Sequence, residues 1–491
     1  MTALSSSTVG SLGAGVPVPS YSRDEVAVGI VHLGVGGFHR AHQAMYVDRL
    51  MNAGAALEWG ICGVGVLPQD RAMKDALEAQ DCLYTLVVKN PDGSLEPSVI
   101  GSLVEYLLAP EDPEAVMEKM AAETTRIVSL TVTEGGYNVH PVTGEFDATN
   151  AAIVADAQPG AVPATAFGLL TEALVRRRER GVPPFTVMSC DNIQGNGHVA
   201  AKMFTAFAAL RSAELGEWVA ANVHFPNSMV DRITPVTTDA DRAVLSDRFG
   251  IEDAWPVVCE PFTQWVLEDN FGLGRPPLDQ AGVQIVDDVE PYELMKLRLL
   301  NASHQALAYT GFLAGYQYAH EVCQDDAFVD YVRNFMNLES TPTLRPVPGV
   351  DLDDYKRTLI ERFANPEVRD TLARLCAESS DRIPKWVLPV IRAQLAVDGD
   401  ISRSALIVAS WARYAEGVDE HGRPIKVVDR LSDRLTEVAR TQSSDPTAFI
   451  AQRDIFGDLI DDERFVAAYT AALDSLHTKG ARQTVIDIGA A

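Results

Sequence analysis

The sequence predicts an α/β fold in two domains: a mostly parallel sheet over residues 1–286, followed by a largely α-helical domain over residues 287–491. Two observations support this prediction. In the first part, short apolar runs alternate with amphipathic helical stretches, which is the pattern of βαβ units. Beyond Pro291 the apolar runs nearly disappear, and helical periodicity continues to about Ala472.

The predicted strands share runs of consecutive apolar residues, the pattern of strands that are buried on both faces. They are Val28–Leu33, Gly60–Leu67, Leu83–Lys89, Ile127–Thr133, Phe185–Ser189 and Val283–Val286. The predicted helices share apolar side chains spaced about three to four residues apart. They are Asp70–Ala79, Glu114–Glu123, Ala164–Arg180 and Gly197–Ala213, then Leu294–Leu313, Val368–Cys376, Ile401–Ala415 and Val428–Arg440.

The chain is acidic, with 41 Lys and Arg against 68 Asp and Glu and a net charge of −27. This charge disfavours nucleic acid and anionic membranes as partners, because both bind clustered Lys and Arg. The chain contains no apolar run long enough to span a bilayer. Met1–Gly15 lacks the basic start and apolar stretch of a signal peptide. We therefore expect a cytoplasmic protein without a membrane partner.

The six cysteines occur singly, at Cys62, Cys82, Cys190, Cys259, Cys323 and Cys376. His320 and Cys323 form a His-x-x-Cys string, but no second pair of ligands accompanies it. Neither a disulfide scaffold nor a structural zinc site is expected from these spacings. The chemistry must come from other side chains or from an organic cofactor.

A glycine-rich turn follows the first predicted strand. It contains Gly34, Gly36 and Gly37, and Phe38 and His39 begin the next helix. A strand, a Gly-x-Gly turn and a helix start present backbone N–H groups to a pyrophosphate, as in a Rossmann-like domain. The third glycine of the usual pattern is absent, because His39 occupies its position. The turn predicts NAD binding, and a purely structural turn is the alternative.

Two acidic residues are candidates for cofactor contacts. Asp70 follows the second predicted strand, where it would accept from a ribose hydroxyl and repel a 2′-phosphate, favouring NAD over NADP. Alternatively, Asp70 only caps its helix, and Arg71 beside it would soften the repulsion. Glu134 follows Ile127–Thr133 and would contact the nicotinamide end or the substrate, unless it is a solvated turn carboxylate.

The first helix of the second domain carries Lys296, Asn301 and His304. At about 100° per residue, Asn301 lies roughly 140° and His304 roughly 80° from Lys296, so all three fit on one side. Such groups cost free energy to bury without partners, so their presence together predicts a proton-transfer site. A desolvated Lys296 beside a cationic nicotinamide would have a lowered pKa and serve as a general base. Asn301 would donate to an alkoxide, and His304 would hold a neighbouring hydroxyl.

A second polar cluster follows the strand Phe185–Ser189. Within it, Asn192 is placed to donate a further amide hydrogen bond to a developing oxyanion. Two amide donors and a lysine base are sufficient to polarise a secondary alcohol without a metal.

These motifs together resemble the polyol-specific long-chain dehydrogenases. The similar segments run in register from about residue 28 to 320, and they are Gly34–His42, Ser189–Asn192, Phe225–Pro235 and Lys296–Gln305. The resemblance implies an NAD-dependent, zinc-independent enzyme that interconverts D-mannitol and D-fructose as a monomer or weak oligomer.

The resemblance also implies roles for individual residues. It makes Lys296 the general acid/base, Asn192 and Asn301 the oxyanion donors, and His304 a group that orients the substrate. It further implies that Asp231 and Arg374 bind substrate hydroxyls. Glu293 would relay the lysine's proton to solvent.

Four alternatives remain open at this point. Tyr292-x-x-x-Lys296 resembles the acid/base string of short-chain dehydrogenases. The set Arg374, Arg382 and Lys385 would suit a carboxylate, as in reduction of fructuronate or tagaturonate. D-arabinitol is another candidate substrate within the same family. A non-catalytic NAD-binding protein is the fourth alternative.

Overall fold

The computed structural model describes residues 1–13, 15–140 and 144–489. The chain forms two compact units, Met1–Glu290 and Pro291–Ala491. Within the described residues, every strand belongs to the first unit. They are β1 Thr2–Ala3, β2 Val28–Leu33, β3 Gly60–Gly65, β4 Tyr84–Lys89, β5 Leu95–Ile100, β6 Leu103–Leu108, β7 Ile127–Leu130, β8 Thr186–Ser189, β9 Ser228–Asp231, β10 Ile251–Glu252, β11 Val257–Cys259, β12 Gln264–Glu268 and β13 Gln284–Val286.

The helices of the first unit are α1 Gly37–Ala41, α2 Gln43–Asn52, α3 Arg71–Ala79, α4 Pro113–Ala121, α5 Ala151–Asp156, α6 Ala166–Arg180, α7 Asn196–Arg211, α8 Ala213–Asn222 and α9 Asp239–Phe249. Those that follow are α10 Glu290–Met295, α11 Ala302–Leu313, α12 Ala319–Val322, α13 Asp326–Asn334, α14 Leu352–Phe363, α15 Leu372–Leu375, α16 Ser379–Trp386, α17 Leu388–Leu395, α18 Ser402–Ala415, α19 Ser432–Ala439, α20 Arg453–Phe456, α21 Glu463–Lys479 and α22 Ala481–Gly489.

The main sheet has the strand order β6-β3-β2-β7-β8, and every pair in it is parallel. From β2 the chain continues to β3 on one side, and later to β7 on the other. The order in which strands are added to the sheet therefore reverses at β2. In sheets of this kind, ligands bind at the carboxyl ends of the strands beside this point. Leu33 pairs with both Val64 and Leu130, so the loops after β2 and β7 emerge next to each other.

Alternate residues of the central strands enter two separate hydrophobic cores, one on each face. Ile30, Ile61 and Ile127 pack in one core, whereas Val31 and Val128 pack in the other. Each such side chain contributes about 1.5–3 kcal/mol on full burial. This two-sided burial is why the central strands are continuous apolar runs, and the predicted mostly parallel sheet is confirmed.

Two predicted strands form but lie outside the main sheet, and the predicted end of a third strand was wrong. The strand Leu83–Lys89 lies outside the main sheet, because β4 pairs antiparallel with β5 and parallel with β11. Val283–Val286 likewise belongs to a separate mixed sheet with β12 and β9. The strand predicted as Ile127–Thr133 ends at Leu130, because Thr133 has φ +64° and ψ 170°, a region that strands do not use.

The helical unit is built around α11 and α18, which are buried along nearly their whole length. A helix that is apolar on all sides belongs in the centre of such a bundle. Two segments of this unit are wider π-helical turns, Lys296–Asn301 and Phe335–Ser340. Across the described ranges, none of the helices combines the length and apolarity required to cross a bilayer.

Candidate active site

The turn after β2 has the conformation that a dinucleotide-binding turn requires. Gly34 has φ +87°, and a Cβ atom there would lie 2.3 Å from the carbonyl oxygen of Thr131, so only glycine fits. At Gly36, by contrast, the nearest atom to an added Cβ is 3.9 Å away. The protein leaves space beside Gly36, as expected where a phosphate approaches the backbone. Gly37, Phe38 and His39 form the start of α1.

Asp70 closes the turn that leads into α3. Its Oδ2 accepts from the backbone N–H groups of Val66 and Leu67, both at 2.9 Å. Asp70 occupies the N-cap position of α3, but its side chain accepts no N–H of that helix and instead caps the short 3₁₀ turn Pro68–Asp70 that leads into it. Arg71 forms an ion pair with Glu111. Contact between Asp70 and a ribose hydroxyl stays a prediction.

The loop after β7 is held in a strained conformation by Asp191. Its carboxylate accepts from the N–H of Thr133 at 2.8 Å, the N–H of Val132 at 3.2 Å and the hydroxyl of Tyr137 at 2.7 Å. Burial raises the pKa of Asp191. Non-glycine residues in the conformation of Thr133 are rare and cluster at functional sites. Glu134, the next residue, is exposed at the start of a short 3₁₀ turn.

Asn196, to which the sequence analysis gave no role, ties the loop after β8 to β9. The Asn196 amide donates to the carbonyls of Asp191 at 3.0 Å and Ser228 at 2.7 Å, and it accepts from the N–H of Ser228 at 2.9 Å. These bonds fix the loop that carries the exposed Asn192 against β9, which ends at the buried Asp231. The signal was the second asparagine of the Asp-Asn-Ile-Gln-Gly-Asn string.

Lys296 and Asn301 are the first and last residues of a π-helical turn. The prediction that both lie on one regular α-helix was wrong. The N–H of Ala302 donates to the carbonyl of Leu297, a five-residue spacing. A π-helix has about 4.4 residues per turn, so Asn301 lies roughly 50° from Lys296 rather than roughly 140°. The wide turn therefore places the amine and the amide on the same side of the helix.

Both of these side chains are buried: Lys296 is 8 % exposed and Asn301 is 5 % exposed. The Nδ2 of Asn301 has no hydrogen-bond partner among the described residues. A buried amide without a partner costs about 1–3 kcal/mol, and a substrate oxygen that accepted this bond would remove that cost. His304 is half-buried, with its ring 4.3 Å from that of Phe363. Glu293 is buried on α10.

Tyr292, the alternative acid/base, uses its hydroxyl structurally: it donates to the carbonyl of Pro348 at 2.7 Å. We expect Tyr292→Phe to leave kcat within about twofold of the wild type. The loss of this hydrogen bond should lower the free energy of unfolding by about 1 kcal/mol. Steady-state kinetics and urea unfolding check the two values. A loss of turnover like that expected for Lys296→Ala would instead identify Tyr292 as the acid/base.

The three basic residues that would suit a substrate carboxylate mostly make contacts within the protein. Arg374 is exposed and forms a bidentate ion pair with Asp370. Arg382 donates to the carbonyls of Arg374 and Leu375 at 3.2 and 3.1 Å. Lys385 is exposed on α16. Arg374 is therefore already paired with a carboxylate, whereas Arg382 donates to backbone carbonyls through one nitrogen. The proposed roles of Arg374 and Arg382 stay predictions.

Comparison with known proteins identifies the family of the chain. Residues 28–280 match the Mannitol dehydrogenase Rossmann domain, and residues 288–477 match the Mannitol dehydrogenase C-terminal domain. A mannitol 2-dehydrogenase from Aspergillus fumigatus is 47% identical over 480 residues, covering 96% of this chain and 95% of that protein. Mannitol dehydrogenase 2 from Saccharomyces cerevisiae is 46% identical, covering 98% and 96%, respectively.

Two solved structures share the fold over nearly the whole length. Pseudomonas fluorescens mannitol 2-dehydrogenase, in a ternary complex with NAD and D-mannitol, is 46% identical and covers 98% of each chain with a TM-score of 0.88. A substrate-free D-sorbitol dehydrogenase is 38% identical, with a TM-score of 0.90 over 98% of this chain and 100% of its own. The predicted fold class, polyol dehydrogenase class and resemblance are confirmed, and the chain belongs to the mannitol dehydrogenase family.

Proposed function

We propose that this protein oxidises D-mannitol to D-fructose with NAD and catalyses the reverse reduction. The observation that carries the proposal is that the buried Lys296 and the buried Asn301, whose amide nitrogen has no partner among the described residues, lie on the same side of one wide turn. In this arrangement the Lys296 amine can exchange a proton, and the Asn301 amide can donate a hydrogen bond to a substrate oxygen. The relatives named mannitol 2-dehydrogenase, and the neighbour solved with NAD and D-mannitol, support the choice of substrate and cofactor.

In this mechanism NAD, when bound, supplies the hydride acceptor. The glycine turn with its space beside Gly36 fits the pyrophosphate of that cofactor. Neutral Lys296 takes the proton of the C2 hydroxyl as the carbon is oxidised, and in the reverse direction it returns that proton. Asn301 Nδ2 and the amide of Asn192 donate to the same oxygen while it carries negative charge.

The remaining predicted residues hold the substrate or move the proton. Asp231 and Arg374 bind hydroxyl groups along the polyol, and His304 orients the hydroxyl next to the reacting carbon. Glu293, one helical turn before Lys296, accepts the proton from the amine and passes it to solvent. On the cofactor side, Glu134 contacts the nicotinamide end, and Asp70 accepts from the ribose and favours NAD over NADP.

We propose that the reaction needs no metal. Throughout residues 1–13, 15–140 and 144–489, no group of three or more His, Cys, Asp or Glu side chains could hold a metal ion. Incubation with EDTA followed by gel filtration should leave kcat and KM for mannitol unchanged. Inactivation by EDTA that zinc or another divalent ion reverses would contradict the metal-free mechanism.

A substrate panel tests the proposal directly. Initial rates should be compared for mannitol, sorbitol and arabinitol with NAD, and for fructose and fructuronate with NADH and NADPH. We expect the highest kcat/KM for mannitol and fructose, and a preference for NADH. Sorbitol is the second candidate, because a D-sorbitol dehydrogenase shares the fold at a TM-score of 0.90. Fructuronate has less support because Arg374 is already paired with a carboxylate of the protein. Binding of NADH without turnover of any polyol would favour a non-catalytic role.

We further propose that the enzyme works in the cytoplasm as a monomer or weak oligomer, without nucleic acid or membrane partners. The net charge of −27 supports this proposal, because it disfavours polyanionic partners. Light scattering coupled to gel filtration at two protein concentrations should give the mass of one chain, with at most a concentration-dependent rise.

A further inference from the structure

A chain of buried polar side chains leads from α2 to the glycine turn after β2. His32, on β2, lies between a hydroxyl of β7 and one just after it: its Nδ1 is 2.8 Å from Ser129 Oγ, and its Nε2 is 2.9 Å from Thr131 Oγ1. Thr131 in turn donates to the carbonyl of Gly34 at 2.7 Å. At the other end, Ser129 Oγ lies 3.0 Å from the amide of Gln43.

The number of available protons determines the direction of this chain. Thr131 has one hydroxyl proton, and it is used on Gly34; Thr131 must therefore accept from His32 Nε2–H. Burial lowers the pKa of His32 to about 3, so the ring is neutral and its Nδ1 is an acceptor. The atom of the Gln43 amide that lies 3.0 Å from Ser129 Oγ is its oxygen. Because Ser129 has one proton and gives it to Nδ1, we exchange the oxygen and nitrogen of this amide, so that Ser129 accepts from its NH₂ group. This amide orientation also gives a partner to Gln43 Nε2, which otherwise has none among the described residues.

The glycine turn is thereby fixed from both neighbouring strands. The N–H of Gly34 donates to the carbonyl of Val64 in β3 at 2.9 Å, and the carbonyl of Gly34 accepts from Thr131 just after β7. His39, which replaces the third glycine of the usual pattern, stacks on His32 with ring centroids 3.5 Å apart. In other dinucleotide-binding turns the third glycine allows close packing of helix on strand; here two flat rings provide that packing.

We infer that His32 and Thr131 are positioning residues for the dinucleotide: through the Gly34 carbonyl they hold the glycine turn in its binding conformation. The inference rests on the proposed NAD-dependent function. Its consequence is that loss of the Thr131 hydroxyl impairs cofactor binding and leaves the chemistry of the polyol intact, because neither residue belongs to the proposed catalytic set.

The test is an isosteric pair of substitutions in the full-length protein. Thr131→Val removes the hydroxyl that donates to Gly34. Thr85→Val is the matched control, because the buried Thr85 hydroxyl of β4 has no hydrogen-bond partner in the described part of the chain. Fluorescence titration should show the Kd for NADH raised about 10-fold in Thr131→Val and unchanged in Thr85→Val. For fructose reduction, kcat at saturating NADH should stay within about twofold, and Thr131→Ser should restore NADH affinity.

Histidine ¹⁵N NMR checks the hydrogen bond between His32 and Thr131, whereas the change in NADH affinity at unchanged kcat distinguishes a positioning role from a merely structural one. The His32 ring should be protonated at Nε2 in the wild type, and the Nε2 signal should shift in Thr131→Val. Unchanged NADH affinity in Thr131→Val, with or without a lower melting temperature, would overturn the inference and leave the proposed function standing. Wild-type protein that fails to bind NADH would overturn both.

Discussion

Lys296→Ala should lower kcat for mannitol oxidation by about 10³- to 10⁴-fold, because the variant has no group to take the hydroxyl proton. Wild-type oxidation should rise with pH through the lysine's pKa, since only the neutral amine accepts a proton. Fructose reduction should fall with pH through the same pKa, since only the protonated amine donates. Both pH dependences should be absent from the variant, and stopped-flow measurements of NADH formation across pH would show this.

Lys356→Ala provides a matched control. Lys356 is also a buried lysine of the helical unit, but its Nζ donates to Asn337 Oδ1 at 2.6 Å and pairs with Asp353 at 2.8 Å. Its loss should lower stability and leave kcat within about twofold. Addition of methylamine should restore part of the activity of Lys296→Ala and none to a variant that is merely misfolded. A Lys296→Ala enzyme with a wild-type pH profile would exclude the lysine as acid/base.

Asn301→Ala should reduce kcat about 100-fold, equivalent to about 3 kcal/mol of lost oxyanion stabilisation, with little change in KM. The same substitution should not destabilise the fold. Asn301 Nδ2 makes no hydrogen bond in the described structure, so its removal relieves an unsatisfied buried donor. Steady-state kinetics should therefore show a lower kcat, and urea unfolding should show a free energy of unfolding that is unchanged or higher.

Gln394→Ala should have the reverse effect. This buried amide of the same unit donates to the carbonyl of Glu339, so its loss should lower the free energy of unfolding by about 1–3 kcal/mol with little effect on kcat. If Asn301→Ala instead lost stability and kept its turnover, Asn301 would be a structural residue, and the proposed oxyanion site would be wrong.

The central strands could be predicted from sequence because burial on both faces leaves continuous apolar runs, as in β2 and β7. Strands without that pattern could not: β5 contains Pro97, and β6 carries a glutamate at Glu105. The end of β7 was also misplaced, because the strained backbone of Thr133 depends on the distant carboxylate of Asp191. No local pattern in the sequence reports such a bond.

For the candidate site, too, part could be predicted from the sequence and part could not. The residue types, and their resemblance to a family, were sufficient to predict Lys296, Asn301 and Asn192 as candidate site residues. Their arrangement could not be derived, because an α-helix and a π-turn have nearly the same apolar pattern over six residues. The role of Asn196 in fixing Asn192 to β9 was also hidden, since it depends on a pairing with Ser228 across 32 positions of the chain.

The wide turn at Lys296–Asn301 has a consequence for anyone seeking or building this chemistry on another scaffold. In a regular α-helix, side chains four residues apart lie roughly 40° from each other, close to the roughly 50° that five residues span here. The same amine and amide on an ordinary designed helix should therefore be encoded as Lys-x-x-x-Asn. A motif search that requires the native spacing would overlook convergent enzymes of this kind.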